Sequence, residues 1–181
     1  MQEEPNPVKE YLFDYISKSQ NIQRLIAEQK FSDIIEDVVE NCYDKVTTFG
    51  SKDETIGTLA TGLLHFLLTN ALLPSQRKIK HGEIEIDIVI PDMRTLEKDP
   101  KKSLIIYIPK TNEKTTISEK LKEVQKIQPE RQNIWVILSE DMDLDFNHYV
   151  LTKKGSFSNI IFDIGQFVNV TGDNKFKILK V

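Results

Sequence analysis

The stretch GEIEIDIVIPD, residues 82–92, alternates carboxylates with isoleucines, and SLIIYIPK, residues 103–110, closes a second apolar run with a lysine. Side chains two apart on a strand share a face, which puts Glu83, Glu85 and Asp87 on one side and Ile84, Ile86, Ile88 and Ile90 on the other. A face of this kind offers hard oxygen ligands, and Glu85 has the length to reach an ion shared with Asp87. Lys110 adds a cation at the end of the neighbouring strand. The same residues also fit a plainer reading. Carboxylates opposite isoleucines describe the solvated side of an edge hairpin, where charge discourages sheet-to-sheet association, and a lysine after a strand-end proline needs only water.

The other chemistry-bearing residues are less organised. His65, His81 and His148 are far apart, without a Cys or His at zinc-finger or HExxH spacing, and His65 reads as a hydrogen-bonded core residue. SEDMDLD, residues 139–145, starts like a calcium loop but lacks the glycine and the distal glutamate, and reads as a solvated acidic loop. The absence of G-x-x-x-x-G-K-[ST], G-x-G-x-x-G and G-x-S-x-G excludes a standard nucleotide loop and an α/β-hydrolase nucleophile elbow. The lone Cys42 lies among Ile34, Ile35, Val38 and Val39 at helical spacing and is expected as a buried thiol.

These residues need elements to position them. Apolar positions from Pro7 to about Val46 recur with a helical period. TTFGSKDE is a turn-rich joint into a charge-free run, TIGTLATGLLHFLLTNALLPSQ, read as a helix buried on most sides, lying on a sheet under the acidic helices, with Gly62 permitting close approach. Ser51 to Glu54 has capping-box spacing at its start. After Pro74 the period becomes that of strands: a hairpin turning near Gly82, a surface loop over PDMRTLEKDPKK, and SLIIYI as a strand buried on both faces. TTISEKLKEVQKIQP predicts a helix with a Thr116/Glu119 capping box, and NIWVILSE a strand parallel to the previous one. Residues 148–170 fit strand and helix equally.

At 181 residues, 39% hydrophobic and 29% charged, the chain suits one globular domain. Its net charge of -4 is uneven: residues 1–56 carry six basic and twelve acidic side chains, leaving 18 basic and 16 acidic beyond. The later part, with QRKIKH, KDPKK, EKLKEVQK and KFKILK, permits a phosphate partner. MQEEPNP carries no readable secretory or transit signal, so the expectation is a cytoplasmic chain with no membrane span.

The order helix, three strands, helix, strand over residues 51–140, with Asp87 on the second strand and Lys110 after the third, resembles the PD-(D/E)xK nuclease superfamily of restriction-endonuclease-like fold. The resemblance implies an α/β fold, a mixed β-sheet core flanked by helices at 51–181, with residues 1–50 as an acidic helical extension packed on it. It implies Asp87 and Lys110 as catalytic residues, Glu54 as the helix acid that several such families use, and Mg²⁺ or Mn²⁺ as cofactor, held by carboxylates that include Asp87 and Glu54; Glu85 joins the catalytic and metal-holding residues on spacing alone. Lysine would orient or activate the attacking water. DNA or RNA is the implied partner, and a homodimer is expected by the same resemblance. The acid of the (D/E)xK tripeptide falls at Ile108, a degenerate motif for which Glu85 is the spacing-based substitute. Two functions follow from this: a metal-dependent phosphodiesterase, or a catalytically inactive nuclease-like scaffold whose N-terminal helices bind a protein partner.

Overall fold

In the computed structural model, which describes residues 4–171, the N-terminal helical region is three helices: α1 (Pro7–Lys18), α2 (Gln20–Ala27) and α3 (Phe31–Val46). Polar residues set these boundaries. The Asn6 side chain accepts from the amides of Val8 and Lys9 to start α1, Ser19 Oγ accepts from the Ile22 amide to start α2, and Gln29 turns the chain with φ of 56°. Cys42 is buried on α3, and burial pushes its thiol up to about 12.

Helix α4 (Lys52–Asn70) takes up the charge-free run as far as Asn70, short of the end expected for it, and is buried along most of its length. Its threonines satisfy their hydroxyls within the helix: Thr55, Thr58 and Thr61 donate to the carbonyls of Ser51, Glu54 and Gly57 at 2.8–2.9 Å. Among the described residues no helix is long and apolar enough to cross a membrane. Gly62 lets α1 approach, since a Cβ there would stand 3.1 Å from Leu12 Cδ2.

Five strands follow: β1 (Gln76–His81), β2 (Ile84–Ile90), β3 (Leu104–Tyr107), β4 (Ile134–Leu138) and β5 (Asn147–Val150). They lie side by side in chain order. The pairs β1–β2 and β2–β3 are antiparallel, whereas β3–β4 and β4–β5 are parallel. The hairpin turns through Gly82, whose φ of 60° suits a residue without a Cβ. The crossover from β3 to β4 runs through α6 (Lys114–Gln125). One face of the sheet, with Ile88, Ile90, Ile106 and Ile137, packs on α1, α3, α4 and α7 (Ile160–Thr171). The other, with Val89, Ile105, Ile134 and Val136, packs on Leu96, Ile117, Leu121 and Val124. The result is a mixed sheet between two helical layers.

Three local expectations are corrected. PDMRTLEKDPKK contains a short helix, α5 (Met93–Lys98), because Asp92 Oδ1 caps it by accepting from the Thr95 amide at 2.7 Å while Leu96 is buried. Helix α6 begins at Lys114, so Thr116 lies inside it and donates to Glu113 Oε2 at 2.9 Å instead of forming a box with Glu119. Ser51 precedes α4, yet its side chain caps no amide, and no capping box with Glu54 forms.

Candidate active site

Asp87 sits on β2 opposite an irregularity. The β1–β2 ladder passes from Arg77–Ile88 to Ile79–Ile86, with Lys78 between at φ of 49°. Ile86 and Val89 both join the apolar cluster on the α6 side, while Ile88 and Ile90 join the other. Strict alternation is therefore interrupted between Ile86 and Ile88, which removes the simple two-residue rule that would place Glu85 beside Asp87.

The Asp87 carboxylate accepts the backbone N–H of Ile108 at 2.8 Å. Burial raises its pKa above the ordinary carboxylate value. The Ile108 amide, then Lys120, then Lys110 act against that shift, and Glu85 adds a small further push upward. Burial also pushes the neighbouring Tyr107 hydroxyl up to about 12, with the charges of Asp87 and Glu123 adding to the effect. The charges of Lys120 and Glu123 on α6 thus act on the groups around Asp87. The two α6 residues themselves lie 3.9 Å apart as an ion pair.

Ile108 is buried in the cluster under α4, so the position that the motif reserves for an acid contributes a backbone amide and no side-chain oxygen. Strand β3 ends at Tyr107, and Pro109 lies past it, where its missing N–H costs no ladder bond. Lys110 follows, exposed to solvent. Its backbone is pressed against α4 at Gly57: a Cβ there would be 3.1 Å from Pro109 O and 3.2 Å from Lys110 Cγ. Glu54 is exposed three residues before Gly57, a spacing that puts the two on neighbouring turns of one helix side.

The adjacent Asp53 is bound inward. Asn112 Nδ2 donates to Asp53 Oδ1, and the buried Ser139 hydroxyl lies 3.1 Å from the same oxygen and 2.9 Å from Asn112 Oδ1. Lys52 pairs with Glu140 at 2.8 Å beside this network. The first turn of α4 is thereby tied to the segments that follow β3 and β4, at the carboxyl ends of the two parallel strands, where open α/β sheets place ligands.

Of the expected residues, the fold brings Asp87 and Lys110 into one electrostatic neighbourhood, with Glu85 in weaker reach and Glu54 on the adjoining helix turn. Among the described residues no three His, Cys, Asp or Glu side chains gather to hold an ion. Asp53, Asn112, Lys120, Glu123 and Ser139 were not singled out by the sequence. The spacing of α6 could have pointed to Lys120 and Glu123, since they lie three apart and flank Leu121 and Val124 of its buried stripe. Asp92 follows Pro91 in the sequence but is engaged as the α5 cap. The other notable groups are ordinary. His65 is half-buried, its pKa lowered by burial and by the charges of Arg77 and Lys9, and most of the acidic loop is exposed.

The mixed five-stranded sheet with helices on both faces is that of the restriction-endonuclease-like fold, and the chain has that fold. It is similar to the restriction endonuclease PspGI, solved in complex with substrate DNA, with a TM-score of 0.60 at 14% identity, covering 91% of this chain and 94% of that one. It also matches metal-depleted Ecl18kI, solved in complex with uncleaved, modified DNA, with a TM-score of 0.39 at 17% identity, covering 93% of this chain and 57% of the other. No family model and no curated protein matches the sequence.

Proposed function

We propose that this chain is a Mg²⁺- or Mn²⁺-dependent phosphodiesterase acting on DNA. The observation that carries this reading is Asp87, a half-buried carboxylate held by the Ile108 amide and faced by Lys110 and Lys120. The residues fit such an ion. Asp87 is a hard oxygen donor whose ionised form is disfavoured by burial, a condition that a bound cation relieves, and Mg²⁺ needs only one or two carboxylates besides water and phosphate. Asp87 would be its first ligand. Glu123 on α6, Glu85 on β2 and Glu54 on α4 are the carboxylates from which a second would come. When bound, the ion would supply a water of lowered pKa and positive charge against the phosphoryl oxygens. Lys110 and Lys120 contribute charge to a phosphate entering beside Asp87, and Lys110 orients the attacking water. A buried free thiol is consistent with a cytoplasmic setting.

The test is cleavage of duplex DNA with Mg²⁺ and with Mn²⁺ by the intact chain and by Asp87→Asn, Lys110→Ala, Glu123→Gln, Glu85→Gln and Glu54→Gln. Activity lost in Asp87→Asn and Lys110→Ala, and in one of the three glutamate variants, supports the reading. Activity unchanged in Asp87→Asn refutes it. Ile108 in the apolar core favours a second reading, an inactive nuclease-like scaffold. That scaffold would show no cleavage with either ion. Any DNA retention by the nuclease should fall steeply with salt, whereas an apolar protein interface on the N-terminal helices would hold.

A further inference from the structure

We infer that Asp53 is a positioning residue, which through Asn112 and Ser139 sets the segment carrying Ile108 and Lys110 against Asp87. Asp53 accepts from Asn112, two residues past Lys110, and from the Ser139 hydroxyl at 3.1 Å. Ser139 is buried directly after β4 and also lies 2.9 Å from Asn112 Oδ1, so the three side chains close a ring between α4, the segment after β3 and the end of β4. One turn along the same helix, Gly57 fits against Pro109 O and Lys110 Cγ. The segment 109–112 is thus held at both ends by α4: by packing at Gly57 and by hydrogen bonds at Asp53.

What the hold secures is visible at Ile108. Its amide reaches the Asp87 carboxylate at 2.8 Å, although β3 has already ended at Tyr107. Slack in 109–112 would pass directly to that amide and to the start of the Lys110 side chain. The neighbouring Glu54, which the motif resemblance selects, is exposed, while Asp53 is the acid of this turn that is bonded to the segments after the strands.

The catalytic part of this inference rests on the proposed nuclease reading, but the structural part does not. The first measurement is the NMR chemical shift of the Ile108 amide proton in the metal-free full chain, for Asp53→Ala, Ser139→Ala, Asp53→Asn and a distant hydroxyl deletion on α4, Thr69→Ala. Asp53→Ala and Ser139→Ala should move the Ile108 signal toward that of a weaker hydrogen bond. Asp53→Asn, which keeps an accepting oxygen, should restore most of the shift, and Thr69→Ala should leave it in place. The second measurement is steady-state DNA cleavage, in which Asp53→Ala should lower kcat roughly tenfold or more with little change in KM, since positioning acts on the reacting geometry. An unmoved Ile108 signal in folded Asp53→Ala and Ser139→Ala overturns the inference whatever the activity. A moved signal with kcat unchanged overturns its catalytic part. Absence of cleavage by the unaltered chain counts against the nuclease reading alone, and the Ile108 shift still decides the clamp. If Asp53→Ala does not fold, the Ile108 shift in Ser139→Ala decides the clamp in its place, moved in support and unmoved against.

Discussion

Gly57→Ala separates the stability of α4 from the geometry of the segment it touches. In an exposed helix interior this exchange stabilises by about 1 kcal/mol, because alanine loses less backbone entropy than glycine. Here the new Cβ would lie 3.1 Å from Pro109 O and 3.2 Å from Lys110 Cγ. The lysine Cγ can swing aside, but the carbonyl belongs to backbone next to a buried residue and has to move by roughly 0.3 Å to reach ordinary contact. Overpacking of a tight contact costs about 1–3 kcal/mol, so the two effects offset and the net change should fall between about zero and 2 kcal/mol of destabilisation. Had the helix gained its full 1 kcal/mol, Tm would rise by about 2–4 °C for a chain of this size. Since a 1 Å misplacement can cost about a hundredfold in rate, a shift of a third of that predicts a loss in DNA-cleavage kcat of roughly three- to tenfold. Denaturant unfolding and cleavage kinetics on the same preparation check both halves. A variant that is more stable by the full helix increment and cleaves like the parent would show that the contact is slack and that α4 does not position Lys110.

Asp87→Asn should stabilise the fold at neutral pH while abolishing cleavage. The raised carboxyl pKa means that the folded state binds the proton more tightly than the unfolded one, so the Asp87 contribution to stability declines as pH rises from the unfolded carboxylate value through the folded one. Thermal unfolding at pH 4 and pH 7 should show the advantage of the variant growing with pH. Gly155→Ala should destabilise by about 3 kcal/mol or more, because its Cβ would fall against Val150 O at well under contact distance, and denaturant unfolding will register the loss. The Cys42 thiol should resist a water-soluble disulfide reagent at pH 8 until denaturant opens α3, and rapid modification of the native chain would contradict its burial.

Much of the architecture was legible because periodicity records which faces are buried. The apolar run of β2, the charge-free stretch of α4 and the strand–helix–strand order around α6 each state a burial pattern, although Ile86 and Ile88, expected on one face, lie on opposite faces of the sheet. α5 escaped because its six residues show no full apolar period, and its start depends on one capping bond from Asp92. Asp87 and Lys110 stood out by their place relative to strands. Asp53, Asn112 and Ser139 did not, since their meeting depends on how three strand and helix ends converge, and no spacing in the chain encodes it. The motif pointed to Glu54 ahead of Asp53, whereas one residue of helical rotation decides which acid meets the strand ends. The irregularity at Lys78 was equally hidden: a left-handed lysine leaves no mark in an alternating pattern.

The ring around Asp53 also bears on when the molecule acquires its chemistry during folding. Its bonds join residues 59 and 86 positions apart, and the Ile108–Asp87 bond spans 21. Contacts of such separation form late, after local helices and the β1–β2 hairpin have closed. On the ribosome, a nascent chain would have its hairpin and α4 before Ser139 emerges, yet lack the ring that completes the site. A chain shortened before β4 would therefore lack the Asp53 ring even where its early helices fold, so that on the proposed nuclease reading unfinished copies would be inactive by the order of synthesis alone.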